Sequence, residues 1–174
     1  IMGMDEMILR ETSEKVVEEY ALDIKTASQN LLSLINDILD ITKIESGKMG
    51  IVMGEYAFMS MMHDVLNNIT LRAKEKNLEI RLNISSDIPC NMVGDDIRIK
   101  QILTNIITNA VKYTQDGYIS IAAYSTKAED GFVDLTFEIS DTGIGIKQED
   151  IKRMFDSFER LEVNRNRNIE GAGL

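Results

Sequence analysis

The spacing of apolar residues changes near residue 48 from a seven-residue repeat to a two-residue alternation, and this change limits the folds that the chain can adopt. Between Ile24 and Ile41, two sets of apolar residues recur at every seventh position, which is typical of a helix packed against other helices. Every second residue from Leu78 to Ile84 is apolar, which is typical of a half-buried strand. We therefore predict a helical part at residues 1–48 and a mixed α+β part at residues 49–174.

Turn residues and apolar spacing predict the remaining elements. In chain order they are a strand at 49–57, a helix at 57–76, a strand at 78–84, a loop between Pro89 and Gly94, a helix at 95–113, strands at 118–125 and 132–140 joined as a hairpin, and a short helix at 148–155. The polar stretch at 160–170 is predicted to be a loop.

Charge and composition exclude several classes of function. The formal net charge is −10, so the chain repels nucleic acids and anionic membranes, and we expect no nucleic-acid partner. Cys90 is the only cysteine, which excludes an intramolecular disulfide and a zinc site of the CxxC type. No apolar run approaches the roughly 18 residues that span a bilayer, and no signal peptide is recognisable, although a membrane anchor on a longer parent protein stays open.

The predicted helix at 95–113 carries a group of polar side chains on one face. Asn105 and Asn109 are one turn apart, and Lys112 follows three residues later. Amide oxygens suit Mg²⁺ without adding negative charge beside a triphosphate, and the lysine supplies a positive charge for phosphate. Taken alone, the three residues also fit the solvated face of an amphipathic helix.

A second polar segment follows the predicted strand at 132–140. The Asp141 carboxylate can only accept hydrogen bonds, so it suits the exocyclic amine of adenine, while Gly143 and Gly145 leave room for a ring or a phosphate. An ordinary Asp-Thr-Gly turn is the alternative, because this motif is weak by itself. Together with the asparagine helix, the segment predicts a pocket for ATP.

The order and spacing of these segments resemble the sensor histidine kinases of two-component systems, within the GHKL ATPase superfamily. The segments that carry the resemblance are Asp95–Thr114 (similar to the N box), Asp141–Ile146 (the first glycine box), Phe155–Phe158 (the F box), Gly171–Leu174 (the start of the second glycine box), and Asn30–Asp40 with Lys43–Met49 (the second dimerisation helix and its link). The resemblance implies a two-layer α/β sandwich of the GHKL type, preceded by a helical hairpin remnant of a dimerisation domain.

The resemblance also implies a role for each matching residue. Asn109 would be the main Mg²⁺ ligand with Asn105 assisting, Lys112 would hold phosphates, Tyr113 would line the nucleotide, and Asp141 would bind the adenine amine. The remaining pocket positions would be Gly143, Gly145, Ile146, Phe158, Gly171, Gly173 and Leu174. Residues 160–170 would form a lid, in which Arg165 or Arg167 either reaches phosphate or is a solvated loop charge.

The family activity implied is transfer of the ATP γ-phosphoryl group to a histidine, for relay to an aspartate of a response-regulator receiver domain. The family's phosphoacceptor histidine would precede Ile1, and the family's sheet would continue past Leu174, so we read the chain as a cytoplasmic fragment that does not autophosphorylate. His63 is the only histidine and is expected to be a structural or surface residue. A homodimer through the N-terminal helices is expected in the parent protein.

Two other interpretations stay open. The chain could be a non-catalytic dimerisation module with a degenerate nucleotide fold, against which the presence of Asn109, Lys112 and Asp141 argues. A GHKL ATPase that drives conformational change would be expected to carry an activating carboxylate near the metal-binding asparagine, where this chain has Asn105.

Overall fold

A computed structural model describes residues 2–12, 14–127, 129–148 and 150–151 of the chain. These residues divide into two compact units, of which the first runs to Gly50 and the second begins at Ile51. None of the helices within the described residues is both long enough and apolar enough to cross a membrane.

The first unit contains two helices that form a hairpin. Helix α1 spans Met2–Glu11 and helix α2 spans Lys15–Glu45, so two described residues, Thr12 and Glu14, lie outside the helices within the predicted helical pattern. The two helices contact each other, and Lys25 lies 3.8 Å from Glu6 in an ion pair across the hairpin. A large part of the apolar surface of α2 remains exposed, including Leu31 at 58%.

The second unit combines two helices with five strands. Its elements are β1 (Gly54–Ala57), α3 (Phe58–Glu75), β2 (Glu79–Ile84), β3 (Asn91–Gly94), α4 (Asp96–Tyr113), β4 (Tyr118–Lys127) and β5 (Val133–Asp141). The three-stranded sheet has the order β2-β4-β5, in which β2 is parallel to β4 and β5 is antiparallel to β4. Strands β1 and β3 form a separate antiparallel pair. The hairpin expected from the sequence is the β4–β5 pair, so this expectation is confirmed.

The core lies between the two helices and the three-stranded sheet. Helix α3 buries a stripe at helical spacing that includes Phe58, Met62 and Ile69, because these positions recur on one face of the helix. Alternate residues of β4, such as Ile119 and Ile121, are fully buried against that stripe. The α+β class and the two-layer sandwich predicted from the sequence are therefore confirmed.

Three segments of the second unit differ from the sequence-based expectations. Residues 91–94 form strand β3 where we expected a loop, and β1 begins at Gly54 rather than at residue 49. Each strand is four residues long and is stabilised by pairing with the other, which an isolated four-residue pattern does not indicate. The described part of the predicted helix at 148–155 is a turn, in which the Asp150 amide donates to the Lys147 carbonyl at 2.9 Å.

Helix α4 begins at a capping aspartate that also holds the chain segment before β1. Asp95 Oδ1 accepts a hydrogen bond from the Arg98 amide at 3.1 Å, and Oδ2 accepts one from the Val52 amide at 2.9 Å. These backbone hydrogen bonds, with the Val52 bond the larger influence, lower the pKa of Asp95 because they favour its charged form. The start of α4 is thereby tied to residues well before it in the chain.

Candidate functional site

Helix α4 presents its predicted site residues on the face opposite the core. Leu103 and Ile107 are buried beneath the helix, whereas Asn105 and Asn109 are exposed one turn apart. The two asparagines therefore share an accessible face, as the sequence pattern predicted. Ile106 follows Asn105 in the helix and is 45% exposed, so the accessible surface of α4 is apolar as well as polar.

The last turn of α4 carries the next two predicted residues. Lys112 and Tyr113 are both half-buried, and Lys112 Nζ lies 5.0 Å from the centre of the Tyr113 ring. A cation over an aromatic face at this distance is attracted by the ring quadrupole. The lysine charge is therefore held close to the end of the helix.

The segment after β5 approaches the end of α4 at van der Waals distance. A Cβ atom added to Gly143 would lie 2.5 Å from the Tyr113 carbonyl oxygen, closer than real Cβ atoms are found. The Ile144 amide donates to the same carbonyl at 3.4 Å. These contacts place the glycine segment directly against the last turn of the asparagine helix.

Asp141 is the final residue of β5 and lies opposite Ile119 of β4 in the sheet. Its side chain is exposed, and Oδ1 accepts a hydrogen bond from the Gly143 amide at 2.9 Å. This bond orients the carboxylate over the turn that follows. Gly145 has a φ of +66°, which a residue with a Cβ rarely adopts, so glycine suits this position.

Thr142 fastens the same turn to the loop before β4. Its Oγ1 accepts a hydrogen bond from the Tyr118 amide at 3.1 Å, and it can donate to the Asp116 carbonyl at 3.1 Å. The Thr142 amide donates to the Tyr118 carbonyl at 3.3 Å. The sequence pattern assigned no role to this threonine, although a hydroxyl beside a turn aspartate is a recognisable signal for local hydrogen bonding.

The remaining predicted residues fall into two groups. Ile146 follows the turn and is 51% exposed. The other predicted positions lie outside the described residues: Phe158, Gly171, Gly173, Leu174 and the stretch 160–170 with Arg165 and Arg167. His63 is exposed on α3, where its Nδ1 lies 3.1 Å from the Asn67 amide nitrogen, in agreement with a surface histidine.

The side-chain oxygens on the exposed face of α4 fit a metal ion only together with an anionic ligand. Within the described ranges, no group of three or more His, Cys, Asp or Glu side chains could hold a metal ion. Asn105 and Asn109 offer neutral oxygen donors, and Mg²⁺ is commonly held by few protein ligands together with phosphate oxygens and water. The residues present therefore fit Mg²⁺ as a partner of a bound phosphate.

Comparison with known proteins finds one family model in the second half of the chain and related kinases along all of it. Residues 94–174 match the family described as histidine kinase-, DNA gyrase B-, and HSP90-like ATPase. Over its full length the chain is 33% identical to the signal transduction histidine-protein kinase BarA of Escherichia coli (strain K12) and covers 19% of that protein. It is 35% identical, again over its full length, to the hybrid signal transduction histidine kinase L of Dictyostelium discoideum, of which it covers 10%. The chain thus spans less than a fifth of the length of each of these two relatives.

Solved structures share the fold of the chain. The crystal structure of full-length ShkA in complex with AMPPNP superposes with a TM-score of 0.75 at 27% identity, over all of this chain and 35% of ShkA. The Acinetobacter baumannii histidine kinase AdeS superposes with a TM-score of 0.61 at 21% identity, over 86% of this chain and 72% of AdeS, and supports the fold alone. The chain therefore carries a sensor histidine kinase ATPase domain of the GHKL superfamily.

Proposed function

We propose that this domain binds Mg²⁺-ATP at the edge formed by α4 and the turn after β5, and that it supplies the γ-phosphoryl group for phosphorylation of a histidine. The observation that carries the proposal is the contact between Gly143 and the Tyr113 carbonyl. This contact brings the two predicted motifs to one edge, so one ligand can reach both.

The base of ATP is assigned to the turn after β5. Asp141 Oδ1 accepts the Gly143 amide, and the charged carboxyl group keeps further acceptor capacity for the adenine amine. Guanine presents a carbonyl at the corresponding ring position, which a carboxylate repels. The proposal therefore includes selection of adenine over guanine by Asp141.

The phosphates are assigned to the exposed face and last turn of α4. Lys112 would hold phosphate oxygens, Asn109 would be the principal magnesium ligand, and Asn105 would assist. Magnesium, when bound, supplies positive charge that offsets the triphosphate in a chain of net charge −10. Tyr113 would line the nucleotide beside Lys112, from which its ring centre is 5.0 Å away.

The acceptor in the proposed reaction is a histidine nitrogen in the helical dimerisation domain of the parent protein, and a response-regulator aspartate then receives the phosphoryl group. His63 is not assigned this role, because it lies within α3 of the ATP-binding unit itself. We also propose a cytoplasmic location, where ATP is available. The relatives named as histidine kinases support this reaction class.

Calorimetry with a non-hydrolysable ATP analogue tests the proposal. We expect binding by the chain, with an affinity that rises about five- to tenfold when Mg²⁺ replaces EDTA, since the metal offsets charge between ligand and protein. Asn109→Leu is expected to remove most of this rise. Asn67→Leu, on an exposed helical asparagine of α3, should preserve it.

Two outcomes would count against the proposal. A magnesium effect that is identical in Asn109→Leu and the unaltered chain would remove the metal assignment. Complete absence of nucleotide binding would favour the alternative of a non-catalytic interaction module with a degenerate nucleotide fold.

We further propose that α2 associates with a second copy in the parent protein. Ile24, Leu31 and Ile38 recur at heptad spacing and are between 43% and 58% exposed, so a continuous apolar stripe is available on this helix. Light scattering should report a concentration-dependent rise towards twice the monomer mass. Leu31→Asp should suppress this rise, whereas Gln29→Asp, with the same charge change at another exposed position, should not. A monomer at millimolar concentration would refute the association.

A further inference from the structure

Lys76 reaches the end of α4 from the turn that follows α3. Its Nζ atom lies 2.8 Å from the Val111 carbonyl oxygen, 2.9 Å from that of Lys112 and 3.3 Å from that of Thr114. Lys76 is part of neither predicted motif, and nothing in the sequence pattern around it indicated a role.

These contacts provide hydrogen-bond donors for carbonyl groups at the C-terminal end of a helix. The last four carbonyl groups of an α-helix have no partner within the helix, and their aligned dipoles leave a partial negative charge there. An ammonium group has three donors and a full positive charge, so it suits three carbonyl groups at such an end. The Lys76 side chain therefore caps α4 from outside the helix.

The carbonyl groups at the end of α4 accept hydrogen bonds from two sources, Lys76 and the turn after β5 that contains Gly143 and Gly145 (the glycine turn). The carbonyls of residues 111, 112 and 114 accept from Lys76 Nζ, whereas the Tyr113 carbonyl accepts from the Ile144 amide. Lys76 thus holds the backbone on both sides of Tyr113, the residue that the glycine turn contacts. Loss of the lysine would free the last turn to fray away from Gly143.

The side chain of Thr114 does not replace this cap. Thr114 is completely buried, and its Oγ1 has no hydrogen-bond partner among the residues that the structure describes, so its hydroxyl does not hold these carbonyl groups. The backbone amide of Thr114 donates to the Ala110 carbonyl at 3.1 Å, which is one turn further back. The carbonyl groups of residues 111, 112 and 114 accept instead from the ammonium group of Lys76.

We propose that Lys76 is a positioning residue for the nucleotide site, because it fixes the last turn of α4 and with it Lys112 and Tyr113. This inference rests on the proposed function, since it assigns Lys76 to the same site. It predicts that removal of the ammonium group weakens nucleotide binding beyond what loss of stability explains.

The test compares four variants of the 174-residue chain by calorimetry with the Mg²⁺ complex of a non-hydrolysable ATP analogue. Lys76→Met keeps the length and apolar stem of the side chain but removes the cation, and we expect affinity to fall about five- to tenfold. Lys76→Arg keeps a cation and is expected to stay within about twofold of the unaltered chain. Lys74→Met removes a charge from the exposed end of α3 and should leave the affinity unchanged.

A fourth variant separates positioning from general stability. Asn77 lies in the turn after α3 with a φ of +56°, a conformation that alanine adopts at a cost, so Asn77→Ala destabilises the same turn without touching the ammonium group. We expect Asn77→Ala to lower the melting temperature as Lys76→Met does, but to bind the analogue as the unaltered chain does. If Lys76→Met fails to fold, Lys76→Gln provides the same comparison.

The outcomes separate this inference from the proposed function. Binding by the unaltered chain with equal binding by Lys76→Met overturns the role of Lys76 alone. An equal loss of affinity in Asn77→Ala and Lys76→Met, at equal loss of stability, also overturns it. Failure of the unaltered chain to bind the analogue overturns the proposed function, and this inference falls with it.

Discussion

Asp141→Asn is expected to weaken binding of a non-hydrolysable ATP analogue by about 10- to 100-fold, which corresponds to the roughly 1.5–3 kcal/mol of a hydrogen bond to a charged group. The asparagine retains an oxygen that can accept the Gly143 amide, as Asp141 Oδ1 does at 2.9 Å. The turn can therefore persist, while the acceptor-only carboxylate is lost. Calorimetry or a fluorescent nucleotide measures the effect.

Asp134→Asn is the matched control for this change. Asp134 is exposed on the same strand, β5, and lies opposite Thr126 at the other end of the hairpin. The same charge is lost there, so any general effect of net charge on ATP binding appears in both variants. Equal affinities of Asp141→Asn and Asp134→Asn for the analogue would remove the assignment of Asp141 to adenine. Comparison of ATP with GTP analogues should show selectivity that falls only in Asp141→Asn.

Gly143→Ala is expected to abolish measurable nucleotide binding and to lower the free energy of unfolding by about 1–3 kcal/mol, as overpacked substitutions do. The added Cβ would lie 2.5 Å from the Tyr113 carbonyl oxygen and 2.8 Å from Asp141 Oδ1. The Tyr113 carbonyl is part of the α4 backbone and cannot give way easily, whereas Asp141 Oδ1 is a side-chain atom that is held by its hydrogen bond from the Gly143 amide. The turn must therefore move away from α4, which separates the two halves of the proposed site.

Gly145→Ala distinguishes steric overlap from backbone strain. Gly145 has a φ of +66°, but within the described part of the chain no atom lies within 4 Å of its added Cβ. We expect a cost of about 1–2 kcal/mol from the left-handed conformation alone, with binding largely retained. Denaturant unfolding and nucleotide titration of both variants make the comparison. Retained binding in Gly143→Ala would show that the contact with Tyr113 is not needed for the site.

The sequence predicted the placement of individual side chains where its signals are local. Asn105 and Asn109 share an exposed face because their spacing matches one helical turn, and Asp141 ends a strand because alternating apolar residues precede it. The sequence did not indicate strand β3, because a four-residue strand between Pro89 and Gly94 has the composition of a loop. That strand forms because it pairs with β1, which lies before α3 in the chain.

By itself the sequence determined the class of each long element and the family of the ATP-binding domain, and it predicted the residues of a candidate site, because periodicity and motif spacing depend on near neighbours in the chain. Only the tertiary structure decided which of these residues touch. The approach of Gly143 to Tyr113 and the reach of Lys76 to a carbonyl 36 residues away depend on how the helices pack on the sheet. Such contacts arise from the packing of whole elements, so no local pattern of residues specifies them.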